Sequence, residues 1–163
     1  MQALYQEKDY TALNAQIRRR QRALVLIALL VLAAVGLTLA LDDHKEHRPE
    51  LLTTLLVIFG GGAMIFFWDL MIRPLRCYAR HMHASLHGRS HEETAVFERF
   101  GEEVSLVDGV RFRDLIFLGH PDKHGDRERL YYWDAELPLP DFQPGQSFRL
   151  TYYDRFLTGY EAM

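Results

Sequence analysis

The chain has 163 residues, 48% of them hydrophobic, with a formal net charge of −3 and a mean hydropathy of −0.15. Those averages suit one soluble domain, but the aliphatic residues are gathered into two blocks, which excludes a single water-soluble core. One cysteine, Cys77, excludes an intramolecular disulfide.

Residues 1–22 predict a short cytoplasmic helix that runs into the first block, with Asp9 or Thr11 as its cap and a thin apolar stripe of Ala12, Leu13 and Ile17. Its end, RRRQR, suits anionic headgroups. The first block, residues 23–41, carries no charge, and the second, residues 51–72, carries only Asp69. Each approaches the roughly 20 apolar residues that a helix needs to cross a bilayer core. The polar residues that come first, and the second span that follows at once, argue against a cleaved signal peptide. A two-helix transmembrane hairpin is the expectation, with loop 42–50 outside.

Basic residues near spans are retained on the cytoplasmic side. Lys8, Arg18, Arg19, Arg20 and Arg22 precede the first span, and Arg73, Arg76, Arg80 and Arg89 follow the second. The loop has only Lys45 and Arg48 among four acids. Both termini are therefore expected in the cytoplasm of a multi-pass protein of the cell (inner or plasma) membrane. Pro49 suits the first turn of the second helix, Trp68 an aromatic belt, and Asp69 pairs with Arg73 at i, i+4.

Gly60, Gly61, Gly62 and Ala63 form a smooth patch in the second span. Gly36 and Ala40, and Ala34 and Thr38, stand at small-xxx-small spacing in the first. Such residues predict close helix packing, inside the hairpin or between protomers, or a kink at the glycines. Residues 73–89 continue as a juxtamembrane helix that Gly88 ends. Cys77 there reads as a plain cytosolic thiol, or as an acylation site in a eukaryote.

Four histidines, His81, His83, His87 and His91, fall beside the membrane. His83 and His87 at i, i+4 are the candidate ligands for zinc or another divalent metal; solvated interfacial histidines are the alternative. His120 and His124 make a second pair, with Asp122 and Asp126.

From residue 90 to 163 short runs rich in β-branched and aromatic residues alternate with turn signals at Asp108–Gly109, His120–Asp126 and Pro144–Gly145. They predict a small cytoplasmic all-β barrel-like domain, OB- or SH3-like, of five or six strands. Phe148, Leu150 and Tyr152 share one face, as do Tyr131, Trp133, Ala135 and Leu137. Alternation breaks at Arg113–Asp114, predicting a bulge. Tyr131 and Trp133 read as core, whereas Tyr132, Trp133, Pro138 and Pro140 are a candidate partner-binding ledge.

Residues 92–163 hold 15 acidic and 8 basic side chains, so nucleic-acid binding is not expected. No hydrolase, nucleotide or metalloprotease motif occurs. The layout of membrane spans joined to a small C-terminal β-barrel is similar to that of NfeD-type proteins, which work beside membrane scaffold proteins; their glycine-rich barrel signature is absent. A non-enzymatic accessory or scaffold subunit is the expected function, its partners the lipid bilayer and a second copy or another membrane protein. A small transporter or channel component, metal-linked through the histidines, is the alternative. A membrane-bound hydrolase would have to assemble its site from distant residues.

Overall fold

The computed structural model describes residues 2–40, 48–121, 125 and 127–163, with only the backbone of 48–50. In chain order it contains β1 (Gln2–Ala3), α1 (Glu7–Ala40), α2 (Arg48–Phe67), a π-helical turn (Trp68–Ile72), α3 (Arg73–His87), β2 (His91–Val107), β3 (Val110–Leu118), β4 (Glu128–Asp134), β5 (Ser147–Tyr153) and β6 (Phe156–Ala162). Two compact units divide it: Leu13–Arg76, and Met1–Ala12 together with Cys77–Met163.

Two helices, Glu7–Ala40 and Leu51–His87, are long and apolar enough to cross a membrane. At 1.5 Å per residue, the 34 residues of α1 extend roughly 50 Å. Leu26, Leu30, Phe59, Ile65 and Phe66 are all exposed. The basic end of the first 22 residues is no separate element, because α1 runs through it without a break. Neither expected cap starts α1: Gln6 accepts from the amides of Asp9 and Tyr10, and the Thr11 hydroxyl bonds back to the Lys8 carbonyl.

Pro49 falls in the first turn of α2, as expected. The two helices meet through small residues. A Cβ on Gly60 would lie 2.8 Å from Val31 Cγ1, and the hydroxyls of Thr38 and Thr53 are 3.2 Å apart. The glycines do not interrupt the helix. The irregularity comes later, where the Arg73 amide donates to the Trp68 carbonyl. Pro74 explains it: lacking an N–H, it withdraws one rung of the ladder, and a wider π turn just before it accommodates the ring. Asp69 and Arg73 pair at 3.5 Å, as the spacing predicts, and Arg76 stacks on Trp68 at 5.2 Å.

The second unit is a six-stranded sheet in the order β1-β6-β4-β3-β2-β5, with β6 also paired to β5. Its longest strand, β2, covers two predicted runs. The first part (His91–Val96) pairs with β5 and the later part (from Val96) with β3. Two register shifts let one strand serve both neighbours. The larger lies between Phe100 and Val104, where three residues stand opposite Asp114. The break in alternation predicted at Arg113–Asp114 is therefore real, but the extra residues belong to β2. Gly101 makes room there, since a Cβ on it would sit 2.5 Å from that of Asp114.

The turn Asp108–Gly109 has φ of 51° and 80°, the conformation that tightens a two-residue hairpin. Phe97, Leu115, Phe117, Tyr131, Trp133, Phe148, Leu150 and Leu157 point to one buried face. Phe142, from the β4–β5 connection, plugs that core 4.4 Å from Phe148 and 4.9 Å from Tyr160.

Candidate functional site

The final residue of β4, Asp134, is 1% exposed. Three donors reach it: the Tyr78 hydroxyl at 2.6 Å and the Tyr5 hydroxyl at 3.0 Å on Oδ2, and the Glu136 amide at 2.9 Å on Oδ1. A buried carboxylate demands such partners. Three separate stretches supply them: the N-terminal segment, α3, and the turn that follows β4.

His81 joins from the same face of α3, three residues after Tyr78. Its Nε2 is 3.1 Å from the Tyr5 oxygen. The Tyr5 proton is engaged by Asp134, so Nε2–H is the donor and the ring carries the Nε2–H tautomer. Phe112 and Phe156 hold the imidazole edge to face, each at 4.8 Å. Desolvation pushes His81 below its ordinary value of 6.5, with Asp134 acting in the opposite direction. Burial, and then the adjacent carboxylate, pushes the phenols of Tyr5 and Tyr78 well up. Both stay protonated as donors.

Two of the grooves formed by the described residues lie on this unit. A polar one of about 470 Å³ is lined by Glu93, Glu128, Arg129, Tyr152, Asp154 and Arg155. A more apolar one of about 360 Å³ is lined by Leu4, Trp133, Leu137, Pro138, Pro140 and Tyr160. Three of the four predicted ledge residues thus gather in one groove. Tyr132 does not join them. Strand alternation turns it to the opposite face of β4, the one that carries Asp134, 5.9 Å from Phe112 and 5.5 Å from Phe156. Trp133 fills the core with Tyr131, as expected, and its surface also lines the groove.

His83 and His87 stack at 4.5 Å with their planes 16° apart. His87 Nε2 faces Glu7 Oε1 at 3.1 Å, and its Nδ1 lies 3.3 Å from the His83 carbonyl. Among the described residues no group of three or more His, Cys, Asp or Glu side chains converges on a metal position. Asp122, His124 and Asp126 lie outside the described residues. Of the predicted packing residues Gly60 touches the facing helix. Gly36, Gly61 and Gly62 have open space beside them, and Ala40 and Ala63 are exposed.

Sequence reasoning singles out His81 but misses Tyr5, Tyr78 and Asp134. Tyr78, His81 and Ser85 share a helix face at i, i+3 and i+7, a detectable signal; Tyr5 carries none. No family model, no curated protein and no solved structure matches this chain.

Proposed function

We propose that this chain is a membrane-anchored, non-enzymatic accessory or scaffold subunit that presents its acidic β domain at the cytoplasmic face of the cell membrane. The observation that carries the reading is the exposure of apolar side chains along both long helices, beside a sheet domain whose chemically distinctive cluster is sealed. Asp134 and Tyr5 are buried and mutually satisfied, which suits a structural fastening better than a reacting centre. The apolar groove of Leu4, Trp133, Pro138 and Pro140 is the docking face of the domain. Exposed Leu139 on its rim supports that role.

β2 pairs with both β3 and β5, and β6 with both β4 and β5. On that pattern we infer a five-stranded barrel of the OB kind, with β1 added at its side. Pairing of residues 2–3 with β6 supports both flanks of the hairpin lying in one compartment. The basic flanks assign that compartment to the cytoplasm.

The test is extraction of native membranes at alkaline pH, followed by light scattering of the purified protein in mild detergent. Retention in the pellet and a mass above one protomer are expected. Release into the supernatant, or a strict monomer that crosslinks to no other membrane protein, contradicts the reading.

A further inference from the structure

Three contacts order the β domain along α3. Near its start, Cys77 Sγ lies 3.2 Å from where a Cβ on Gly109 would be. In the middle, His81 packs between Phe112 and Phe156. Just past the end, Gly88 abuts the Tyr153 ring. The β2–β3 turn therefore marks the pole of the domain nearest the start of α3, and the β5–β6 turn marks the opposite pole. Cys77 is five residues beyond Ile72, the end of the apolar stretch, so at most roughly 18 Å of chain separates them.

At that pole the hairpin has two different faces. Val110 and Phe112 are buried, Phe112 on the side that meets α3, against His81. On the opposite, solvent-exposed face Val104 stands across from Arg113 and Leu106 across from Arg111. Leu106 is 70% exposed and Val104 49%, among the larger exposed apolar side chains outside the two spans. Aliphatic tips alternating with arginines suit an interface where carbon is buried and guanidinium groups stay at headgroup level. Glu102, Glu103 and Asp108 border the face, and Arg111 already bonds Glu136 at 2.8 Å, so the contact is shallow and apolar rather than driven by anionic lipid.

We infer that the outward face of the β2–β3 hairpin, Val104 and Leu106 with Arg111 and Arg113, rests on the lipid surface and holds the β domain against the bilayer. This rests on the membrane-anchored reading above. The occupant is lipid, because the hairpin tip is tied to the end of α3 that the chain connects directly to an apolar span.

The experiment uses the full chain with Cys77→Ser, reconstituted into phosphatidylcholine–phosphatidylglycerol vesicles. Single cysteines replace Leu106, Val104, Arg155 at the opposite pole, and Ile65 in the second span, each carrying an environment-sensitive fluorophore. Quenching is read with a spin-labelled lipid and with aqueous iodide. Labels at 106 and 104 should lose about half their emission to the lipid quencher, while 155 responds to iodide alone. If 65 is lipid-quenched but 106 and 104 respond to iodide as 155 does, the hairpin contact is wrong and the anchor stands. If 106 and 104 are shielded from both quenchers, the face is covered by protein, and lipid contact is again wrong. If 65 itself is not lipid-quenched, the anchor reading falls and takes this inference with it.

Discussion

The Tyr5 hydroxyl donates to Asp134 Oδ2 at 3.0 Å across 129 positions of sequence. Tyr78 donates to the same oxygen at 2.6 Å. One carboxylate thereby fastens the N-terminal segment and α3 to the sheet. Replacing Tyr78 by Phe removes one charge-assisted bond and should cost about 1.5–3 kcal/mol. Asp134→Ala should cost more, since it leaves two buried hydroxyls without acceptors. Tyr5→Phe combined with Asp134→Ala should cost less than the sum of the singles. Denaturant titration of the purified protein followed by near-ultraviolet dichroism measures all three; additive losses would contradict the coupling.

Stability should depend on pH through the same cluster. Burial holds His81 below its ordinary 6.5, so the unfolded chain takes up the proton first as pH falls. The contribution is full above about pH 6.5 and is lost progressively below it. Tyr5 and Tyr78 act at the other end. Their phenols are raised, chiefly by burial, so the unfolded chain loses protons first and stability falls as pH rises above about 10. Thermal melts from pH 5 to 11 should give a plateau with two falling limbs. His81→Phe, which fits the Phe112–Phe156 slot, should flatten the acid limb and leave the alkaline one.

The glycines of α2 should separate by direction. Gly60→Leu collides with Val31, whereas Gly61→Leu and Gly62→Leu enter open space. Overpacking of this kind costs about 1–3 kcal/mol. Gly60→Leu should lower the melting temperature of the protein in detergent. Gly61→Leu should leave it unchanged and instead reduce any self-association seen by light scattering. Equal thermal losses for both would contradict the assigned faces.

Gly101→Ala should also destabilise, because the added methyl meets the Cβ of Asp114 across the bulge. Ser105 donates to Asp114 Oδ1 at 3.1 Å, and that bond should weaken with it. Amide exchange across residues 99–106 should rise selectively, by about tenfold for each 1.4 kcal/mol lost.

The parts of this architecture that could be read from sequence are local ones. Apolar blocks long enough to span a bilayer, the Asp69–Arg73 pair, the Asp108–Gly109 turn and the inward set of Phe148 and Leu150 each declare themselves within a few residues. The bulge is half legible: alternation breaks on β3 at Asp114, but the extra residues lie on the partner strand, invisible to a pattern confined to one run. β6 is missed because Gly159 interrupts its pattern and the turn before it, Asp154–Arg155, has no glycine or proline, though Asp154 adopts φ 56°. β1 has only two residues and so no period to detect. The Asp134 cluster is the least legible, since a burial shared by three distant segments is set by the tertiary fold.

Pairing of β1 with β6 has a consequence for how the protein is made. Ala3 leaves the ribosome well before its partner Gly159. At roughly 5–20 residues per second, that partner arrives about 8–30 s later. Until then Tyr5 has no completed sheet to join, and any chain that stalls before β6 leaves the N-terminal strand unpaired. The β1–β6 seam is thus a late assembly step, which cannot close until β6 has been synthesised.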